Sequence, residues 1–190
     1  MIPTLMETSA LSIAGPGGGD AALQADSQPG FRWHVLRTRS RQEKAVAGVV
    51  EAAGGVPYLP LHRRVVFYGH RRRVVEAPVF SCYLFLWGQL EHAYVAIAAK
   101  RVAQVIPVTD QAELAQELSQ LRMVLAAGGE LSPYNFLVRG RRVRITAGPF
   151  KGVEGIVDET LKQDRLILKV HAVGRALGLE IDASLLEPAD

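Results

Sequence analysis

The sequence predicts an α+β protein in which an N-terminal antiparallel sheet packed with helices is followed by a small C-terminal β-barrel. Three observations predict it. Over residues 31–127, strand-length and helix-length patterns alternate in the order β-α-β-β-β-α-β-α, which suits helices layered on an antiparallel sheet. From residue 136 onward helical spacing stops, and short strand patterns crowd into about 50 residues, as they do in small barrels. Between the two, residues 128–135 (GGELSPYN) have the composition of a linker. The expected organisation is a disordered tail (1–30), a first domain (31–127), the linker (128–135) and the barrel domain (136–190).

Each element has its own signal. Residues 32–38 alternate Trp33, Val35 and Arg37 with His34, Leu36 and Thr38, the period of a strand. Ser40 and Glu43 have the S-x-x-E spacing of a capping box. Val46, Val49, Val50 and Ala53 follow at helical spacing until Gly54-Gly55. Residues 56–61 contain two prolines, which suits an edge segment. Residues 63–68 and 71–77 flank Gly69-His70 and read as a hairpin. Its Arg63, Arg64, Arg71, Arg72 and Arg73 make it a basic arm. Residues 80–87 are apolar apart from Ser81, as expected for a central strand covered on both faces. Cys82, the single cysteine, is expected in that strand as a small apolar residue and excludes an internal disulfide. Residues 90–100 suit a short helix and 102–108 a strand. Asp110 and Glu113 repeat the capping spacing ahead of Leu114, Leu118, Leu121 and Leu125, which share one helical face. In the barrel segment Val143 and Ile145 alternate with arginines. Leu166, Leu168 and Val170 share one face, as do Leu177, Leu179 and Ile181.

Composition narrows the functional classes. No apolar run in the 190 residues approaches the roughly 20 needed to span a membrane. Residues 1–30 carry no Lys or Arg and lack the continuous apolar stretch of a secretory signal; their Gly, Ser and Pro content reads as disorder. The net charge of +3 hides an asymmetry: residues 31–73 carry net +8 and residues 74–190 net −2. That concentration suggests a polyanionic neighbour for the first segment. Residues 138–190 hold nine Lys/Arg against eight Asp/Glu. This balance favours a protein partner over a nucleic-acid grip. No nucleophile elbow, phosphate loop or metal-ligand spacing occurs, so no catalytic residue, cofactor or metal is expected.

The stretch 143–158, VRITAGPFKGVEGIVD, resembles the KOW motif, with an alternating strand, Gly148-Pro149-Phe150, then Gly152 and Gly155. Val173-Gly174-Arg175-Ala176 and Leu179-Glu180-Ile181-Asp182 look like the closing strands of the barrel of the NusG family. Trp33-His34-Val35-Leu36 opens as that family's N-terminal domain opens. Pro78-Val79-Phe80-Ser81-Cys82-Tyr83-Leu84-Phe85 resembles its F-P-x-Y-L-F strand. Ser81 stands where the family usually has Pro, often preceding Gly or Asn, and Arg101 where it commonly has Gly. These departures, with the basic arm, resemble a specialised paralogue of the RfaH type more than the housekeeping factor.

The resemblance implies a cytoplasmic transcription elongation factor that modulates pausing, termination or antitermination. It implies that Phe80, Tyr83, Phe85, Val105 and Ile106 form an apolar pocket for the clamp helices of the largest subunit of RNA polymerase, and that His92 touches the polymerase at a helix start. It also implies a barrel that recruits a ribosomal protein or the termination factor Rho. Phe150, expected at a loop tip as a contact residue, is the first candidate there, with Lys151 and Arg175. Arg37, Arg39, Arg41, Lys44, Arg71, Arg72 and Arg73 are candidates to face non-template or upstream DNA, through phosphate contacts. The alternative is an RNA- or ribosome-binding KOW protein, which would have no need of an aromatic strand beside a basic hairpin.

Overall fold

The computed structural model describes residues 29–137, 139–157 and 165–189. The expected tail lies outside them apart from Pro29 and Gly30. Four antiparallel strands, β1 (Arg32–Thr38), β2 (Val56–Tyr58), β5 (Tyr83–Gly88) and β6 (Val102–Ile106), form a sheet in the order β2-β5-β1-β6. The apolar 80–87 segment therefore lies inside the sheet, as its composition predicts, although β5 itself begins at Tyr83. Side chains alternate between the two faces of a strand, and both faces here are covered. Leu36, Leu84 and Leu86 pack under α1 (Glu43–Ala52) and α2 (Leu90–Ala98) through Val46, Ala47, Val50, Ala93 and Ala96. Trp33, Val35 and Phe85 pack on the other face against Leu114, Leu118 and Leu121 of α3 (Gln111–Ala126).

The start of α1 differs from the capping pattern. The N-cap is Gln42, without a side-chain cap bond, and Glu43 is buried. Its carboxylate accepts the Cys82 N–H at 2.7 Å. Cys82 lies in the turn before β5 with φ +66°, so the cysteine expected in a strand occupies a left-handed turn. An intra-helical partner for Glu43 lost to a long-range one, because the turn amide would otherwise be left without an acceptor. At α3 the capping pattern holds: Asp110 accepts the Glu113 N–H at 2.8 Å.

Strands β3 (Leu61–Tyr68) and β4 (Arg71–Pro78) form a separate two-stranded arm. The C-terminal segment is a six-stranded antiparallel sheet in the order β12-β8-β9-β10-β11-β7. It comprises β7 (Leu131–Tyr134), β8 (Arg141–Ile145), β9 (Glu154–Val157), β10 (Arg165–Val170), β11 (Arg175–Glu180) and β12 (Leu186–Pro188). Its core gathers Val143, Ile145, Val153, Leu166, Leu168 and Leu179. Half of the expected linker is therefore a strand: β7 pairs with β11 from Tyr134↔Ala176 to Leu131↔Leu179. The Gly and Pro content hid this, because Pro133 sits on an edge strand, where a missing N–H is tolerated.

Helix α3 joins the two halves. Val124, on its last turns, belongs to the barrel core. Val170, Val173 and Leu177 of the barrel share the cluster of Phe85 and Leu118. Two polar contacts reinforce the seam. Gln120 Oε1 accepts the Glu154 N–H at 2.7 Å, and the Glu117 carboxylate accepts the His171 N–H at 3.2 Å.

Candidate functional site

The expected aromatic pocket divides into buried supports and an accessible rim. Phe85 is 0% exposed and Phe80 4%, and their rings meet edge to face with centroids 6.0 Å apart. Neither is available as a contact, because α3 covers the face they share. Tyr83 and Ile106 pack against the same cluster and are only partly buried. Register places them on one face of the sheet, on the strands either side of β1 and one pleat apart: Tyr83 is opposite Arg37, and Ile106 is opposite Val35. Directly paired residues project to the same face, so Arg37, which is exposed, stands beside Tyr83. Val105 does not join Ile106. It pairs with Leu36 and packs on the opposite face against the α1–α2 cluster, as the period of a strand requires.

His92 is also a structural residue. Its Nδ1 accepts the Gln89 N–H at 3.0 Å, which closes the capping box of α2. Its ring meets Phe31 edge-on at 5.6 Å. A Cβ at Gly88 would come within 2.5 Å of that Nδ1, so glycine is what lets the imidazole lie against β5. The outer side of α2 instead exposes Leu90, Tyr94 and Ile97, three residues on one helical stripe. The sequence reading passed over them because they sit within an otherwise ordinary apolar helix.

The arm carries its charge on two faces. Cross-strand pairs set Val65 opposite Val74 and Phe67 opposite Arg72 on one face, with Val66 opposite Arg73 on the other. Arg71, Arg72 and Arg73 are all exposed, yet they do not form one patch. Phe67 is 68% exposed beside Arg72. That pairing was open to sequence reasoning once the Gly69-His70 turn fixed the register. Arg39, Arg41 and Lys44 are exposed around the start of α1, and Arg41 adopts φ +60°.

In the barrel, Phe150 is partly buried and packs against the core, near Gly129 beyond the end of α3. It is a packing residue, in contrast to the contact role expected of a loop tip. Turn glycines allowed the loop to fold back, and an aromatic ring gains more by burial than by exposure. Lys151 and Arg175 are exposed.

A polar cluster on the seam had no signal in the sequence, since His171 lies 54 residues from Glu117. His171 Nδ1 lies 2.5 Å from a Glu117 carboxylate oxygen and 3.3 Å from one of Glu113. Burial holds the Glu117 carboxyl above the usual range, opposed by its hydrogen bonds to His171. The Phe136 ring meets His171 edge-on at 5.5 Å. A cavity of about 510 Å³ opens beside these groups, lined also by Gln120, Glu154 and Lys169. Among the described residues no helix is long and apolar enough to cross a membrane.

Comparison with known proteins agrees with this architecture. Residues 139–171 match the KOW motif family. The chain is similar to "Transcription termination/antitermination protein NusG" of Escherichia coli strain K12, with 27% identity over 181 residues, 85% of this chain and 98% of that protein. Its likeness to NusG proteins spans both halves of the chain. The NusG of Pseudomonas aeruginosa is 25% identical over 169 residues and 92% of its length, so the similarity runs through the sheet domain and the barrel alike. A solved structure described as the MjSpt4:Spt5 complex, conformation B, aligns over 83% of this chain and 97% of its own at 19% identity. Its TM-score is 0.29.

Proposed function

We propose that this NusG-type chain is a transcription elongation factor that docks on RNA polymerase through its N-terminal sheet domain and recruits a second protein through the barrel. The observation that carries the reading is similarity to NusG proteins along nearly their whole length, both domains included. The accessible rim of Tyr83, Ile106 and Arg37 is the proposed docking patch for the clamp helices of the largest polymerase subunit. Phe80 and Phe85 belong to the buried cluster that Tyr83 packs against. The arm supplies the nucleic-acid contact: an exposed aromatic beside an arginine suits base stacking combined with phosphate attraction, as on single strands. Displaced non-template DNA is the proposed target. Exposed Lys151 and Arg175 mark the proposed partner surface of the barrel, for a ribosomal protein or Rho, and the setting is the cytoplasm.

The test is retention of the full chain by purified core polymerase, then by an elongation complex with an open transcription bubble. Tyr83→Ala should weaken both by about 2 kcal/mol, the loss typical of an aromatic anchor. Phe67→Ala should weaken only the complex containing DNA. If the chain binds polymerase in neither form, the polymerase reading fails. Equal losses for Phe67→Ala with and without DNA would move the arm off the nucleic acid.

A further inference from the structure

We propose that Glu113, Glu117 and His171 form a binding site for one divalent first-row metal ion, zinc or a close equivalent, which ties helix α3 to the barrel. Glu113 and Glu117 are four residues apart and so share one face of α3. His171 approaches from the segment after β10. One carboxylate oxygen from each glutamate and the imidazole Nδ1 all lie within 4.8 Å of one another. A zinc ion bound at about 2.0–2.2 Å by such ligands separates them by roughly 3.3 Å. The Glu113–His171 pair already stands at 3.3 Å. The Glu117–His171 pair, at 2.5 Å, would open by less than an ångström, and the two carboxylates, within 4.8 Å of each other, would close by up to about 1.5 Å to reach the spacing of zinc ligands.

The chemistry of the three groups points to a cation. Both carboxylates turn to the same imidazole nitrogen, and a neutral imidazole has at most one N–H there. It can donate to one carboxylate at a time, and half-exposed Glu113 then turns to water. A metal ion at the centre satisfies all three, with the imidazole in its Nε2–H tautomer. The mixed nitrogen and oxygen donor set suits zinc and similar ions better than magnesium or calcium. The adjoining cavity leaves a fourth position open to water. Because two ligands come from the helix and one from the barrel segment, the bound ion would hold the seam closed. This inference needs no polymerase and does not rest on the proposed function.

The test uses the full chain without a histidine tag, freed of metal by chelation. Zinc chloride is titrated by calorimetry, and thermal unfolding is followed with and without it. One zinc per chain should bind and raise the melting temperature. His171→Ala and Glu113→Gln, both at half-exposed side chains, should each bind about tenfold or more weakly and lose the zinc-dependent rise. Cobalt chloride should give visible absorption bands in the parent chain and not in His171→Ala. Absence of binding at 100-fold excess zinc over protein would overturn the proposal. So would binding unchanged in both variants, which would place the ion at other histidines. Should one variant fold poorly, the other decides.

Discussion

The arm and the seam are the two extremes of this molecule. Among the described residues nothing packs on the outer part of the arm: Val65, Phe67 and Val74 are exposed, and Arg63–Glu76 is a surface ion pair at 3.8 Å. A lone hairpin is marginally stable in water, and such an ion pair adds little. The seam is the reverse. There one helix fills the groove between a sheet and a barrel, and its polar residues meet backbone N–H groups of the barrel. The contrast teaches where side-chain changes register. At the seam they should be read in stability; on the arm they should leave the fold alone and be read in binding.

The sharpest way to break this comparison is Phe85→Ala. The ring is fully buried in the cluster joining β5 to α3, so the change should cost about 3–5 kcal/mol in urea unfolding. A loss below 1 kcal/mol would mean that this face is open in solution, and Phe85 would return as a direct contact. Next is Gln120→Ala, which deprives the Glu154 N–H of its acceptor. About 1 kcal/mol should be lost, with faster hydrogen exchange at the Glu154 amide. Unchanged exchange there would show that the barrel does not rest on α3.

His34 provides a pH test. It is buried on β1, and burial holds its pKa below the ordinary value of 6.5, opposed by a backbone hydrogen bond with Gly88. The unfolded chain then binds a proton more readily than the folded one. The resulting stability is complete above about pH 6.5 and is lost as pH falls below that toward the folded-state value. His34→Gln should flatten that part of the urea-stability profile; an unchanged slope would assign it to other groups. The smallest effect belongs to the arm: Phe67→Ala should alter stability by less than about 0.5 kcal/mol. A larger loss would show that the arm packs on something in solution.

The sequence made the layers legible because periodicity reports burial. The leucines at 114, 118 and 121 announced α3, and the apolar 80–87 run announced a strand covered twice. Periodicity could not say what does the covering. Phe85 read as a pocket residue and Phe150 as a loop contact, yet Phe85 is covered by α3, and Phe150 folds back onto the barrel core and toward Gly129, just past the end of α3. Val105 was open to better reading, since it neighbours Ile106 and adjacent strand residues face opposite ways. β7 was hidden for another reason. Its strand character comes from pairing with β11, some 45 residues later, and a local Ser-Pro signal has no knowledge of that partner. The Glu113–Glu117–His171 cluster was illegible on the same grounds.

The turn before β5 carries a consequence for substitution. With Cys82 at φ +66° and its N–H held by buried Glu43, that position selects a residue for its tolerance of left-handed backbone. Gly or Asn should serve as well or better, the residues the NusG pattern often places after its proline. Two lineages could therefore differ in every atom of that side chain while preserving the same bend, and a chain engineered without thiols would lose no fold at this position.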